Sequence, residues 1–153
     1  MAILAFERFE NVRRSLYNHI ASNYTLTSFQ LQGETDIDTR SIDEWVWFGI
    51  QGSTRQFLHH VTSDTYGNLV TFFFTSAIYV KPTDNLSRID LIRDTIVNLF
   101  QRKAIQVTDY VGNAAAIGRV ISNEPPEDVP LGLINDINQH AVTFRMKYLE
   151  QFS

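Results

Sequence analysis

The sequence predicts an α+β fold in which an antiparallel or mixed β-sheet carries two main α-helices. Three observations predict it. The run from Trp45 to Phe100 reads as strand, strand, strand and then an amphipathic helix. Along the longest of these strands, Leu69–Lys81, the residues Val70, Phe72, Phe74, Ile78 and Val80 alternate onto one face, the period of two that a pleated strand imposes. Over the whole chain the order is helix, strands, helix, strands, with no internal repeat and no low-complexity tract. Its 153 residues fit one domain, 1–153, because a single core commonly serves about 100–200 residues.

From Phe6 to Asn23 the apolar positions Phe6, Phe9, Val12, Leu16 and Ile20 recur at spacings of three and four, which puts them on one side of a helix. Glu7 and Glu10 near its start and Arg13 and Arg14 further on follow the order that the helix dipole favours. A short strand, Thr27–Gln32, comes next. Residues 33–44 lack periodicity and read as a mobile loop or extended arm inserted between ordered elements. Trp45–Ile50 and Arg55–Thr62 read as two strands, with Gly49 and Gly52 marking the bend between them.

The stretch Asp64–Asn68 has the turn chemistry of a hairpin, and Leu69–Lys81 returns from it. Pro82 ends that strand because it has no amide hydrogen to donate. The second helix is expected over Asn85–Gln101, with Leu86, Ile89, Ile92, Ile96, Leu99 and Phe100 on one face and Arg102 and Lys103 at its end. Ser87 and Asp90 have capping-box spacing, with Asp84 or Asn85 as alternative caps. Ile105–Asp109 and Ala115–Ser122 are short strands. The segment EPPEDVPLG, residues 124–132, reads as an irregular loop on account of its three prolines. The last strand sets Val142, Phe144, Met146 and Tyr148 against Thr143, Arg145 and Lys147, so one of its faces is wet.

The second face of the long strand carries Leu69, Phe73, Ala77 and Tyr79. A sheet built around it is therefore apolar on both sides, while the chain has few helices to cover it. A second copy of the chain is the expected cover. Leu69, Phe73 and Tyr79, with Trp45 and Trp47 of the neighbouring strand, are the candidate interface residues. The two tryptophans share a face and could stack a ligand or a base. A core or subunit contact is the favoured reading, because no basic residues interleave with them.

The net charge of −4 has one location. Glu34, Asp36, Asp38, Asp43 and Glu44 stand against Arg40 alone, and elsewhere the signs balance. There is no basic stripe for phosphates, so direct nucleic-acid binding is not expected. The acidic segment is the candidate channel or docking loop. The absence of cysteine excludes disulfides, thiolate metal sites and cysteine nucleophiles. His59 and His60 are adjacent on a strand, point to opposite faces and cannot chelate one ion together, while His19 and His140 have no ligand spacing around them. The paired acids Asp36/Asp38 and Asp43/Glu44 lack the glycine and the bidentate glutamate of a calcium loop. No Gly-x-Ser-x-Gly elbow and no phosphate-binding glycine loop occurs. The expectation is a protein that is not an enzyme and needs no metal or cofactor. With no long apolar run, it is expected to be soluble and intracellular when made.

The segment from Trp45 to Gln101, WVWFGIQGSTRQFLHH through IVNLFQ, together with the closing strand HAVTFRMKYLEQ, resembles the tail terminator proteins of long-tailed bacteriophages. The likeness is one of pattern: an N-terminal helix, a tryptophan-bearing strand, a long strand ending at a proline, a helix with Ile92, Ile96 and Phe100, and a final alternating strand. It implies a small subunit that closes into a ring of about six copies. Such a ring stops polymerisation of the tail tube and offers the surface that joins the head, so the partners implied are further copies, the tail tube protein and a head-completion or connector protein. DNA passes through without specific binding. The implied location is the tail neck of the virion, and the host cytoplasm during assembly. The resemblance supplies no catalytic residues. Alternative readings are another neck or head-completion subunit, or a small-molecule-binding domain with a pocket lined by Trp45, Trp47, Phe72 and Phe74.

Overall fold

A computed structural model describes residues 9–34, 36–62, 65–82, 86–112 and 116–152, with the backbone alone at 55, 57–62, 65–68, 117 and 150–152. In chain order the elements are α1 (Phe9–Asn23), β1 (Ser28–Leu31), β2 (Glu44–Thr62), β3 (Thr65–Val80), α2 (Ser87–Phe100), β4 (Lys103–Thr108), β5 (Ala116–Ser122), β6 (Glu127–Ile134) and β7 (Ile137–Phe152). The strands form one mixed sheet in the order β1-β2-β3-β7-β5-β4, and β6 pairs with β7 beside that path. Among the described residues only β1 and β2 run parallel; the remaining pairs are antiparallel. The outer edge of β7 is shared, since β6 takes it from Ile137 to Thr143 and β5 meets it at Lys147.

Both helices lie on one face of the sheet. Val12, Leu16 and Ile20 of α1 and Ile89, Ile92, Ile96 and Phe100 of α2 are buried against Val46, Phe48, Val70, Phe72, Phe74, Ile78, Val142, Phe144 and Met146. Phe100 sits at the centre of this core, its ring centroid 5.2 Å from those of Phe74 and Phe144. The sheet curls around the helices and is tied to α1 at both ends: the Tyr17 hydroxyl donates to the Gln32 carbonyl just past β1, and the Thr108 amide of β4 donates to Ser15 Oγ. A buried polar set closes the α1 end, where Asn11 Nδ2 donates to Asp109 Oδ1 and Asn11 Oδ1 accepts from the Tyr110 amide.

Several elements differ from the sequence expectation, each for a physical reason. The two expected strands 45–50 and 55–62 are one strand, β2, because the glycine bend is a bulge between Gln51 and Ser53 with Gly52 at φ +67°. β3 begins at Thr65, so most of the expected turn 64–68 is already in the ladder. The loop expected over 124–132 ends at Pro126, and β6 starts at Glu127. Pro130 is tolerated there because β6 is an edge strand, with a register shift between Pro130 and Gly132. A two-residue turn, Asn135–Asp136 with φ of 49° and 60°, joins β6 to β7 in the mirror-image geometry that hairpins favour. Ser87 is the first residue of α2 and Leu86 is the cap, with no side-chain capping bond from it. The alternative caps Asp84 and Asn85, and Phe6 of the first helix, lie outside the described residues.

Candidate functional site

The face of the sheet turned away from the helices is where the expected interface residues lie. The pairing register builds a row across it: Gln30 beside Trp47, Trp47 beside Ala77, Ala77 beside Ala141, and Ala141 beside Val129. The two alanines make a shallow trough between the indole of Trp47 and the side chain of Val129. One row along, Trp45 stacks on its partner Tyr79, with centroids 5.3 Å apart and planes 12° from parallel. Trp47 folds over Gly49, where a Cβ would lie 2.2 Å from its Cη2 atom. This half of the face is apolar.

Its other half is polar, a feature that the spacing of apolar residues in β3 alone does not reveal. Thr75 donates to Gln51 Oε1 and shares a hydroxyl contact with Thr143. Lys147 and Arg145 both reach Glu124. Phe73 stands at the boundary, 38% exposed between Gln51 and Arg145. Leu69 and Tyr79 are half-buried. Trp45, by contrast, is only 9% exposed within the isolated subunit, so its own chain already covers most of it.

Tyr79 stacks on Trp45, and the acidic segment runs alongside. Gln30 fastens it, donating to the Glu34 carbonyl and to Asp36 Oδ1 while accepting from the Ile37 amide. Lys81 Nζ donates to the carbonyls of Thr39 and Arg40. Together with Trp45, Trp47 and Tyr79, the residues Asp36, Ile37 and Thr39 line a cleft of about 270 Å³. The segment is irregular, as expected, but it is a strap held at several points rather than a free arm. Nor are its acids one patch. Asp38 is paired with Arg40, whose guanidinium holds the exposed carboxyl below the usual carboxylate range. Glu44 belongs to β2 and not to the loop. Its side chain takes a two-pronged bond from Arg88 of α2, with Nε 2.7 Å from Oε2. Glu34, Asp36 and Asp43 remain as exposed acids without an ion pair among the described residues.

The pocket expected from Trp45, Trp47, Phe72 and Phe74 is not formed. In β3 and β2 these residues have opposite parity: Phe72 and Phe74 face the helices, and the tryptophans face the other way. No group of three or more possible metal ligands occurs among the described residues. His19 Nε2 contacts the Leu99 carbonyl at 2.9 Å and His140 Nε2 contacts Asp128 Oδ1 at 2.9 Å, while the side chains of His59 and His60 lie outside the described residues. Among the described residues, no helix is long and apolar enough to cross a membrane.

The surface that sequence reasoning missed is β6. Val129, Leu131, Leu133 and Ile134 are all more than two-fifths exposed, and so is Leu86 at the start of α2, which lines a cleft with Pro130 and Gly132 of β6. An Asn-Asp pair between the apolar runs VPLGLI and INQHAV was the available hairpin signal, and the prolines masked it. Arg93 of α2 pins this edge by donating through Nε to Asp128 Oδ1 at 2.9 Å, which holds the Asp128 carboxyl below its ordinary range.

No family model matches the chain, and no curated protein matches it in sequence. A solved structure of a protein designated only by a sequence identifier shares the fold, with a TM-score of 0.59 at 10% identity over 94% of this chain and 96% of the other. At that identity the likeness concerns the fold alone. It establishes the class as α+β, a curled mixed sheet with two helices on one side.

Proposed function

We propose that this chain is a ring-forming structural subunit of a long-tailed bacteriophage, which caps the tail tube, ends its polymerisation and provides the surface that joins the head. The observation that carries the reading is a sheet whose two helices cover one face only, leaving Phe73 and the Ala77/Ala141 trough open to a partner. The pattern resemblance to tail terminators supports the same reading. So does the charge of the chain, which offers no continuous basic groove to hold DNA in a channel. The partners are further copies, about six to a ring, then the tail tube protein and a head-completion or connector protein. The subunit performs no turnover and carries no cofactor. It resides at the tail neck, after assembly in the host cytoplasm.

Light scattering on the eluting protein tests the proposal. A ring has about six times the subunit mass of 17.6 kDa. A monomer or dimer at every concentration, together with failure to bind the ends of purified tail tubes, overturns it.

A further inference from the structure

The cleft beside the strap combines features that suit one kind of guest. Its lining is largely aromatic: Trp45, stacked on Tyr79, and Trp47 in the next row line it together with Gln30. The acid in the lining is Asp36, which is exposed, accepts through Oδ1 from Gln30 Nε2 at 2.9 Å and has no ion pair among the described residues. The volume of about 270 Å³ lies just under the roughly 300–1,000 Å³ of sites that bury a drug-sized molecule, so one long side chain is the better match.

The chain's own cations near the strap do not serve this acid. Lys81 Nζ is turned to the carbonyls of Thr39 and Arg40, and the Arg40 guanidinium is held by Asp38. Glu34 and Asp43, towards the two ends of the strap, are also exposed and also lack an ion pair among the described residues. Negative charge is therefore left over beside the half-buried rings of Trp47 and Tyr79. The arrangement is formed in advance, because the three bonds of Gln30 fix the strap where Asp36 meets those rings.

An aromatic face attracts a cation through its quadrupole, and a neighbouring carboxylate adds a charge-assisted hydrogen bond. Neither attracts a phosphate or an acid. A guanidinium group, flat and weakly hydrated, satisfies both at once by stacking on a ring while its N–H groups reach the carboxylate. We infer that the cleft receives a basic side chain, an arginine above all, from a second protein docked on the outward face. The assignment rests on the reading of that face as a partner surface and adds what the partner must present there. The chain's own Arg119, Arg145 and Lys147 share the outward side with the cleft. Every copy in a ring turns that side the same way relative to the ring axis, so the outward faces of two neighbours do not pack on each other.

Tryptophan emission reads the cleft directly, because Trp45 and Trp47 are the two tryptophans of the chain. The probes are a short capped glycine peptide with a central arginine and the same peptide with citrulline, the uncharged isostere of arginine. Titrated into the native chain, the arginine peptide should give a saturable change in emission and the citrulline peptide should not. Asp36→Asn keeps an oxygen to accept from Gln30 but loses the charge, so binding should weaken about fivefold, the upper end for one exposed ion pair. Asp90→Asn, an equal loss of charge on α2 behind the sheet, should leave binding unchanged. Equal weakening by both substitutions would reveal general attraction to an acidic chain, and full binding by Asp36→Asn would remove the carboxylate from the site. Either overturns the inference, as does a citrulline peptide that binds like the arginine peptide or a native chain without a saturable response. Light scattering on Asp36→Lys should return the native mass; a changed mass would put the cleft between copies and overturn its assignment to a second protein. A native chain of monomer mass that still binds the arginine peptide supports the cleft while overturning the ring.

Discussion

Phe72 and Phe73 are neighbours in one strand and live in different worlds. Phe72 is fully buried under α1, with its ring centroid 6.1 Å from Phe9 and 5.8 Å from Tyr148. Phe73, one residue on, lies on the other face between Gln51 and Arg145 with no helix above it. The pleat alone separates them. The same contrast holds for the whole sheet. The helix-facing side is a continuous layer of aromatic and branched side chains, whereas the outward side breaks into an apolar half, a polar half and a strap of its own chain. Apolar alternation therefore specifies a core only where another element arrives to cover it. Where none arrives, side chains partly cover one another, as Trp45 does with Tyr79, and the remainder is left for a partner.

The comparison breaks most severely at Phe72. Phe72→Ala should cost about 3–5 kcal/mol, the usual range for emptying an aromatic site in a close-packed interior, and chemical denaturation would measure it as a lower midpoint at unchanged slope. A loss below about 1 kcal/mol would mean that α1 does not pack on this face as described. A smaller effect is expected at Gly49, on the outward side of β2. Its added Cβ would meet the Trp47 indole at 2.2 Å, so Gly49→Ala should push the ring off the sheet. The cost should be about 1–3 kcal/mol, as for overpacking elsewhere, with a red shift in tryptophan emission. An unchanged spectrum would show that Trp47 does not rest there.

Asp128 sharpens the comparison from a third position, the clip that fastens α2 to the exposed edge strand. Asp128→Asn removes the charge that Arg93 and His140 share and should cost about 1–2 kcal/mol, within the range for a hydrogen bond to a charged group. The Asp128 carboxyl is held below its ordinary value, chiefly by Arg93, so its contribution is complete above about pH 5 and fades as acid protonates it below that value. The native chain should therefore lose more stability than the variant between about pH 5 and pH 2, read from thermal midpoints across that range. Parallel acid profiles would show that the clip does not form in solution.

What could be read from the chain beforehand follows from which features are local. Both helices were legible from the spacing of Val12, Leu16 and Ile20 and of Ile89, Ile92, Ile96 and Phe100, all now buried. The core face of β3 was legible from its alternation. Leu86 shared the helical spacing but fell at the cap, outside the packed face, because a periodic pattern does not say where a helix ends. β6 was hidden because three prolines suggest a loop, and only the partner strand reveals that Pro130 occupies an edge where proline is harmless, while Pro125 and Pro126 precede the strand. The distribution of the acidic residues was hidden for a similar reason: Arg88 is 44 residues from Glu44 in sequence, and no pattern in one segment announces a partner in another. The polar half of the outward face required the register that sets Thr75 beside Thr143 and within hydrogen-bond reach of Gln51.

The smallest effect on the isolated subunit should come from Phe73 itself, and it carries the most information about the partner. Over a third of its surface already meets solvent, and it is not among the residues of the core. Phe73→Ser should thus change subunit stability by no more than about 0.5 kcal/mol, the scale of ordinary surface substitutions. If the outward face takes part in assembly, the same change should lower the assembled fraction seen by light scattering or weaken attachment to the tail tube, since aromatic residues in a buried contact centre dominate its energy. If the outward face takes no part in assembly, Phe73→Ser should assemble like the native chain. The substitution is best made without touching Tyr79, because Tyr79 supports Trp45 and its loss would unsettle the face that the experiment is meant to preserve. A large drop in subunit stability would contradict the placement of Phe73 on the uncovered face, and with it the division of the sheet into one covered side and one open side.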